Sequence, residues 1–391
     1  MGDVKVTISG GALGGEIQTN DGIVGMVISG DIDGSGLYVL GTPILITTLA
    51  GLATAGITND GNEFAVRQVT DFYTKAGAIA DLYLMLTPNT VTVAMIADNT
   101  YSDGAKKLLD YAEGAIKVIG LMTDDTEIPT PTIADGLNGD VYTAAINMAV
   151  MAEAYFEADM PFRAIIAGTS YNGVPGDLTD LTAGTTNNRT SIFIGDTEAG
   201  VAACMGLLLG LISSLPVQRK ISRVKNGSLP ILAAYVGEET VETVGAGDMA
   251  LIAARGFITF KKYRNVSGYF FSADPTATAT TDDYCMIARG RVIDKAHILG
   301  YTTFVQEVDD EVLIVNGKLA AGYCKWLSQQ ILNQVNATMT ANGEISDVGC
   351  TIDPNQPILS TNKLAIILRI TPVGYATEID INIGYQNPAL S

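Results

Sequence analysis

One histidine, His297, and one tryptophan occur in 391 residues, and only 17% of the chain is charged. A Ser-His-Asp triad or a multi-histidine metal centre would have to rest on that single imidazole. His297 lies between Ala296 and Ile298 in a run that reads as a strand, where a structural role is expected. The four cysteines, Cys204, Cys285, Cys324 and Cys350, lack paired metal spacing and are expected to be buried, reduced thiols. No Gly-Lys-Ser/Thr phosphate loop occurs. Basic residues are scarce, 23 against 42 acidic ones for a net charge of −19, which argues against nucleic acid and fits a partner with basic patches. The N-terminus lacks a basic region followed by an apolar one, so no secretory leader is expected. The longest apolar run, Ala199 to Val217, contains Gly200, Gly206, Gly210, Ser213 and Ser214 and stops at Pro216. It reads as a buried helix rather than a membrane span, and no membrane partner is expected.

What is present is enough apolar sequence, 47%, to bury a large core in about two domains. Short apolar strands are expected at 23–28, 38–48 and 82–86, with a helix over 63–76. From Val91 to Pro216 the pattern alternates: strand 91–97, helix 102–112, strand 116–122, helix 140–159, strands 162–167 and 191–194, helix 198–215. Continuous apolar strands alternating with helices predict a largely parallel sheet covered on both faces, a doubly wound, three-layer α/β body.

Such a layer invites a nucleotide. Ser9-Gly-Gly-Ala-Leu-Gly-Gly15 follows a strand, yet the next residues are polar and turn-like where a dinucleotide fingerprint needs a helix. A Rossmann-like nucleotide-binding enzyme is therefore the runner-up reading. The loop Asp31 to Gly36 has acidic residues at calcium-loop spacing but lacks the downstream Glu, and reads as a polar turn. The carboxylate pairs Asp124-Asp125, Asp282-Asp283 and Asp309-Asp310 are sequence neighbours that point apart, which suits solvated turns better than acid–base work. No catalytic, cofactor-binding or metal-binding residue is assigned. Basic residues cluster at Arg219, Lys220, Arg223 and Lys225, at Lys261, Lys262 and Arg264, and at Arg289, Arg291 and Lys295. Surface salt bridges and faces for acidic neighbouring subunits are equal alternatives for these.

Both ends of the chain carry an alternating strand beside a Gly or Pro break. Val4, Val6 and Ile8 alternate with Lys5, Thr7 and Ser9. At the other end Leu364, Ile366, Leu368 and Ile370 share one face; Thr371-Pro-Val-Gly374 interrupts; then Ile379, Ile381, Ile383 and Tyr385 share another. These terminal strands either pair within the molecule or add to a neighbour's sheet edge. Between them, a helix is expected over Lys318 to Thr340, with Leu327, Ile331, Val335 and Met339 as its apolar stripe and Lys318, Lys325, Gln329, Asn333 and Asn336 opposite.

From Leu215 onward the order of motifs resembles the tail sheath proteins of contractile bacteriophages and related contractile injection systems. The motifs are Leu215-Pro-Val-Gln-Arg-Lys220, Gly256-Phe-Ile-Thr-Phe260, Gly268-Tyr-Phe-Phe-Ser-Ala-Asp-Pro-Thr276, Ala288-Arg-Gly-Arg-Val-Ile-Asp-Lys-Ala296, Asn342-Gly-Glu-Ile345, Ile352-Asp-Pro-Asn-Gln356 and Thr371-Pro-Val-Gly374. The resemblance covers some 170 residues; before it, only the opening Ile8-Ser-Gly-Gly-Ala-Leu-Gly14 and the overall length are similar.

The resemblance implies a virion structural protein and not an enzyme, without a cofactor. It would be a homo-oligomer of stacked hexameric rings joined into a helical mesh by strand exchange. Implied arms are Val4, Val6 and Ile8 at one end and Ile379, Ile381, Ile383 and Tyr385 at the other, with Leu364, Ile366, Leu368 and Ile370 as the acceptor strand. Lys318 and Lys325 are candidate contacts to an inner tail tube protein. Baseplate and terminator proteins are further implied partners, and assembly would occur in the bacterial cytoplasm before incorporation into a virion tail or injection machine. The implied domains are an N-terminal arm (1–20), an outer α/β domain (21–245), an inner, tube-proximal α+β sheath domain (246–372) and a C-terminal arm (373–391). A non-contractile virion structural protein is the remaining alternative.

Overall fold

The computed structural model describes residues 20–31, 36–124, 131–183, 186–200 and 202–385. Val4, Val6, Ile8 and the glycine loop 9–15 lie outside these residues, as does most of the acidic turn at 31–36. The chain divides into two compact units, residues 1–301 and 302–391.

The first unit is a mixed α/β body around a six-stranded sheet. Its strands are β1 (Val24–Gly30), β2 (Ile44–Ile46), β3 (Leu82–Pro88), β4 (Val118–Met122), β5 (Arg163–Ala167) and β6 (Thr190–Phe193), in the order β2-β3-β1-β4-β5-β6. All neighbours are parallel except β2, an antiparallel edge on β3. Val24 faces Leu82 on one side and Val118 on the other, so the register runs straight across three strands. Every residue of β1, β4, β5 and β6 is buried, as uninterrupted apolar runs predict.

The longer helices of this unit are α1 (Asn59–Ala76), α2 (Ala105–Ala112), α3 (Gly139–Glu157), α4 (Met205–Ser214), α5 (Val241–Ala254) and α6 (Ile287–Phe304). Within the apolar run, Met205–Ser214 form the buried helix α4, and no helix is long and apolar enough to cross a membrane among the described residues. Its glycines have a packing purpose. A Cβ on Gly206 would stand 1.9 Å from the Gln68 carbonyl oxygen, and one on Gly210 would stand 2.5 Å from that of Phe72. Backbone therefore meets backbone where α4 crosses α1. The Gln68 amide completes the joint, its Oε1 accepting from the Gly206 N–H at 2.8 Å and its Nε2 donating to the Ala203 carbonyl at 3.3 Å. The first of these bonds satisfies one of the N–H groups that a helix start leaves open.

Several expected strands are helices or loops. The run around His297 is helical: Ile287, Ala288, Arg291, Val292 and Ala296 of α6 are buried at helical spacing, and His297 lies on that helix. Residues 91–97 form a helical turn, Val93–Ile96, because the Thr92 hydroxyl accepts from the Met95 N–H and caps it. Of 38–48 only Ile44–Ile46 is strand. Position 245, the expected domain boundary, falls at a break within α5 where Gly245 takes φ +85°.

The body is fastened by buried ion pairs. Arg163 of β5 and Arg189, just before β6, both reach Asp294 of α6, at 2.8 and 3.1 Å. Arg163 also donates to the Asn188 carbonyl at 2.7 Å, and Arg189 packs 4.1 Å from the Phe156 ring centroid. Gly290 makes room, since a Cβ there would sit 1.8 Å from the Arg163 guanidinium carbon.

In the second unit, β9 and β10 below denote the hairpin strands Ile314–Val315 and Lys318–Leu319. They follow β7 (Phe260–Lys261) and β8 (Phe270–Phe271) of the first unit. The helix expected over 318–340 begins later: α7 is Ala321–Val335, and Lys318 belongs to the hairpin. The helix runs into a wider turn at Asn336–Thr340. Leu327, Ile331, Val335 and Met339 are all 0% exposed. Four-residue spacing drifts around a 3.6-residue helix, and the wider turn brings Met339 back to the buried face. Two antiparallel strands, β11 (Ile345–Thr351) and β12 (Ile367–Pro372), complete the unit, with a register shift between Ile345 and Asp347.

Candidate assembly interface

The sheet of β11 and β12 has only two strands among the described residues, so each has an outer edge without a ladder partner. Its strands are incompletely covered. Along 364–370 burial alternates, with Leu364, Ile366, Leu368 and Ile370 half-buried and Ala365, Ile367 and Arg369 exposed. Leu364 and Ile366 pack against the small core of Leu319, Cys324, Leu327 and Ile352 but precede the strand. Thr371 and Pro372, expected to interrupt, are instead its last residues, Pro372 opposite Ile345. Pro at a strand end removes no interior ladder bond. Gln356 holds the approach to the strand: its Oε1 accepts from the Ala365 N–H at 2.6 Å and its Nε2 donates to the Ala365 carbonyl at 2.8 Å.

After Pro372 the chain leaves the sheet. Residues 373–385 belong to no strand. Ile379, Ile381, Ile383 and Tyr385 are 75%, 76%, 86% and 109% exposed. Glu378, Asp380 and Asn382 alternate with them. Covering a fully exposed Ile is worth about 1.5–3 kcal/mol, so this row leaves burial free energy unrealised in the single chain.

Lys318 and Lys325 are both exposed but on different elements, the first on β10 and the second on α7. Sequence reasoning passed over Trp326, which is 45% exposed beside Lys325 and packs on Tyr323 with ring centroids 5.7 Å apart. Four of the ten residues of the basic clusters are held by partners within the body. Lys220 pairs with buried Asp274 at 3.2 Å, Lys295 with Asp21 at 2.7 Å and Lys262 with Glu242 at 2.6 Å. Arg291 donates to the carbonyls of Asp21 and Leu215.

His297 is held 2.8 Å from Asp159 Oδ1, with its ring centroid 4.3 Å from that of Phe156. Among the described residues no group of three or more His, Cys, Asp or Glu side chains is placed to hold a metal. Burial pushes the Cys204 thiol well above its usual range, with nearby Asp71 and Asp196 reinforcing the shift, so it is held as the inert protonated form.

The fold matches chains of known assemblies. The chain shares its fold with a subunit of the anti-feeding prophage (AFP) baseplate (TM-score 0.64, 12% identity, 98% of this chain and 99% of that one). A chain of the PVC sheath complex of an extracellular contractile injection system in the contracted state matches too (0.59, 10%, 99% and 100%), as does one of the AFP baseplate in its contracted state (0.61, 10%, 98% and 97%). The fold is thus one found among chains of contractile injection systems. By sequence, the chain belongs to the DUF2586 family: the family's N-terminal domain matches residues 1–274 and its C-terminal domain residues 283–390. No curated protein matches.

Proposed function

We propose that this protein is a structural subunit of a contractile sheath, polymerising helically around an inner tube and contracting to drive that tube through a target envelope. The observation that carries the reading is the C-terminal row Ile379, Ile381, Ile383 and Tyr385, extended and exposed beyond a two-stranded sheet with open edges. In a polymer this arm adds to the β11–β12 sheet of a neighbouring copy, where Leu368 and Ile370 lie on the acceptor strand with Leu364 and Ile366 leading into it. Val4, Val6 and Ile8 supply the corresponding N-terminal arm. The doubly wound, three-layer body forms the outer domain and the α+β region up to residue 372 the inner one, with Lys318 and Lys325 toward the tube. Backbone ladders at the arms survive while bodies rotate, so the mesh stays connected through contraction. Subunits assemble in the bacterial cytoplasm on baseplate and tube, closed by a terminator. The full-length likeness in fold to chains of sheath and baseplate complexes supports this reading.

Electron microscopy of the full chain and of a chain ending at Tyr375, each co-produced with its tube and baseplate, tests it. The full chain is expected to give striated hollow cylinders, and the shortened chain a folded protein without ordered polymers. Normal cylinders from the shortened chain overturn the strand-exchange reading.

A further inference from the structure

A groove of about 1140 Å³ opens between α5 and the segment 260–268. Val241, Ala246, Met249, Ala250 and Ala253 form its floor on the helix side, and Phe260, Tyr263 and Val266 line the facing wall. The volume lies above the roughly 300–1,000 Å³ of small-molecule sites and the lining is mostly apolar, which suits a peptide segment. Lys261 and Arg264 stand exposed on the lip. Lys261 lies 4.8 Å from the Tyr263 ring centroid, and neither cation has a carboxylate within ion-pair distance among the described residues. In a chain of net charge −19 this is an apolar channel with a basic rim.

The same sequence contains a complementary segment. Val308-Asp-Asp-Glu-Val-Leu313 carries Asp309, Asp310 and Glu311, all exposed, between Val308 and Leu313, which are 68% and 66% exposed. It leads into the β9–β10 hairpin, whose turn residues Asn316 and Gly317 take φ of +51° and +75°. Positive φ at both central positions gives a tight hairpin turn matched to strand twist, so the segment is anchored to a stiff projection.

We propose that the α5 groove of one copy receives the acidic loop 308–313 of another copy, with Val308 and Leu313 on the apolar floor and the three carboxylates toward Lys261 and Arg264. This contact is separate from arm exchange. It adds a side-chain interface that salt weakens, whereas a backbone ladder is insensitive to salt.

The test mixes two full-length, singly substituted populations, Val266→Cys and Leu313→Cys, in a Cys350→Ser background, and oxidises them at low salt. The expected result is a disulfide-linked heterodimer whose yield falls about tenfold with Lys261→Glu/Arg264→Glu and recovers when Asp309, Asp310 and Glu311 are changed to Lys in the other population. The proposal is overturned if Val266→Cys reacts with a small thiol reagent yet gives no heterodimer. It is equally overturned if that residue cross-links to Ile381→Cys of the tail instead. Heterodimer formed by chains ending at Tyr375 separates this contact from the arm reading, since the two then fail independently.

Discussion

The body at 20–301 and the unit at 302–385 use the same residue types in opposite ways. In the body, β1, β4, β5 and β6 have no exposed residue, and even charged side chains are taken inside, as with Arg163 and Asp294. In the C-terminal unit, β12 has no fully buried residue, and Leu313, Ile367, Ile379, Ile381, Ile383 and Tyr385 lie open. A strand buried on both faces already has all its partners. A strand half-buried on one face, at the edge of a two-stranded sheet, keeps ladder groups and apolar area available for another chain. The strands of the body's sheet are covered within their own chain, whereas the two-stranded sheet of the C-terminal unit keeps open edges among the described residues.

The contrast is broken most severely at the buried ion cluster. Asp294→Ala leaves Arg163 and Arg189 facing each other without their shared carboxylate, and a loss of about 3–5 kcal/mol in urea unfolding is expected. Loss of less than about 1 kcal/mol would mean the cluster is no better than a surface pair. Next in size, Gly206→Ala places a methyl against the Gln68 carbonyl where α4 meets α1. A cost of about 1–3 kcal/mol is expected, read as a lower midpoint with an unchanged slope. A wild-type midpoint would show that the helices separate without penalty.

The smallest effect is electrostatic. Glu242 accepts from Lys262 Nζ and from the Tyr269 hydroxyl, which hold its carboxyl below the usual carboxylate range. A depressed carboxylate adds stability above its unfolded pKa of about 4.3 and loses it as pH falls through the folded value. Wild type should therefore exceed Glu242→Gln slightly at neutral pH, and the gap should close on acidification below pH of about 4. A gap that widens in acid would reverse the assignment.

The body was the more legible region because apolar runs name buried strands directly: β1, β3, β4, β5 and β6 lie within a few residues of expectation, as do α1, α3 and the stripe Leu327, Ile331, Val335, Met339. What failed turned on contacts distant in sequence or on caps. The α6 run looked strand-like because Ala288, Gly290, Arg291 and Asp294 are not an apolar stripe; Gly290 makes room for Arg163 and Asp294 pairs with Arg163 and Arg189, more than a hundred residues earlier, while Arg291 donates to the carbonyls of Asp21 and Leu215. Thr92 turned β-branched sequence into a helical turn through one hydroxyl. The alternation at 379–385 was readable, but its exposure was not, because period alone does not say whether a strand's partner lies in the same chain. The α5 groove left no signal, since its floor of small residues and Met249 reads as ordinary helix interior.

The central claim is that residues 376–385 become a strand of another copy. Amide hydrogen exchange of that segment, compared between unassembled protein and ordered polymer, tests it most directly. The account predicts exchange near coil rates in the free subunit and strong protection, alternating along the segment, in the polymer. Coil-like exchange of 376–385 within an ordered polymer would contradict it.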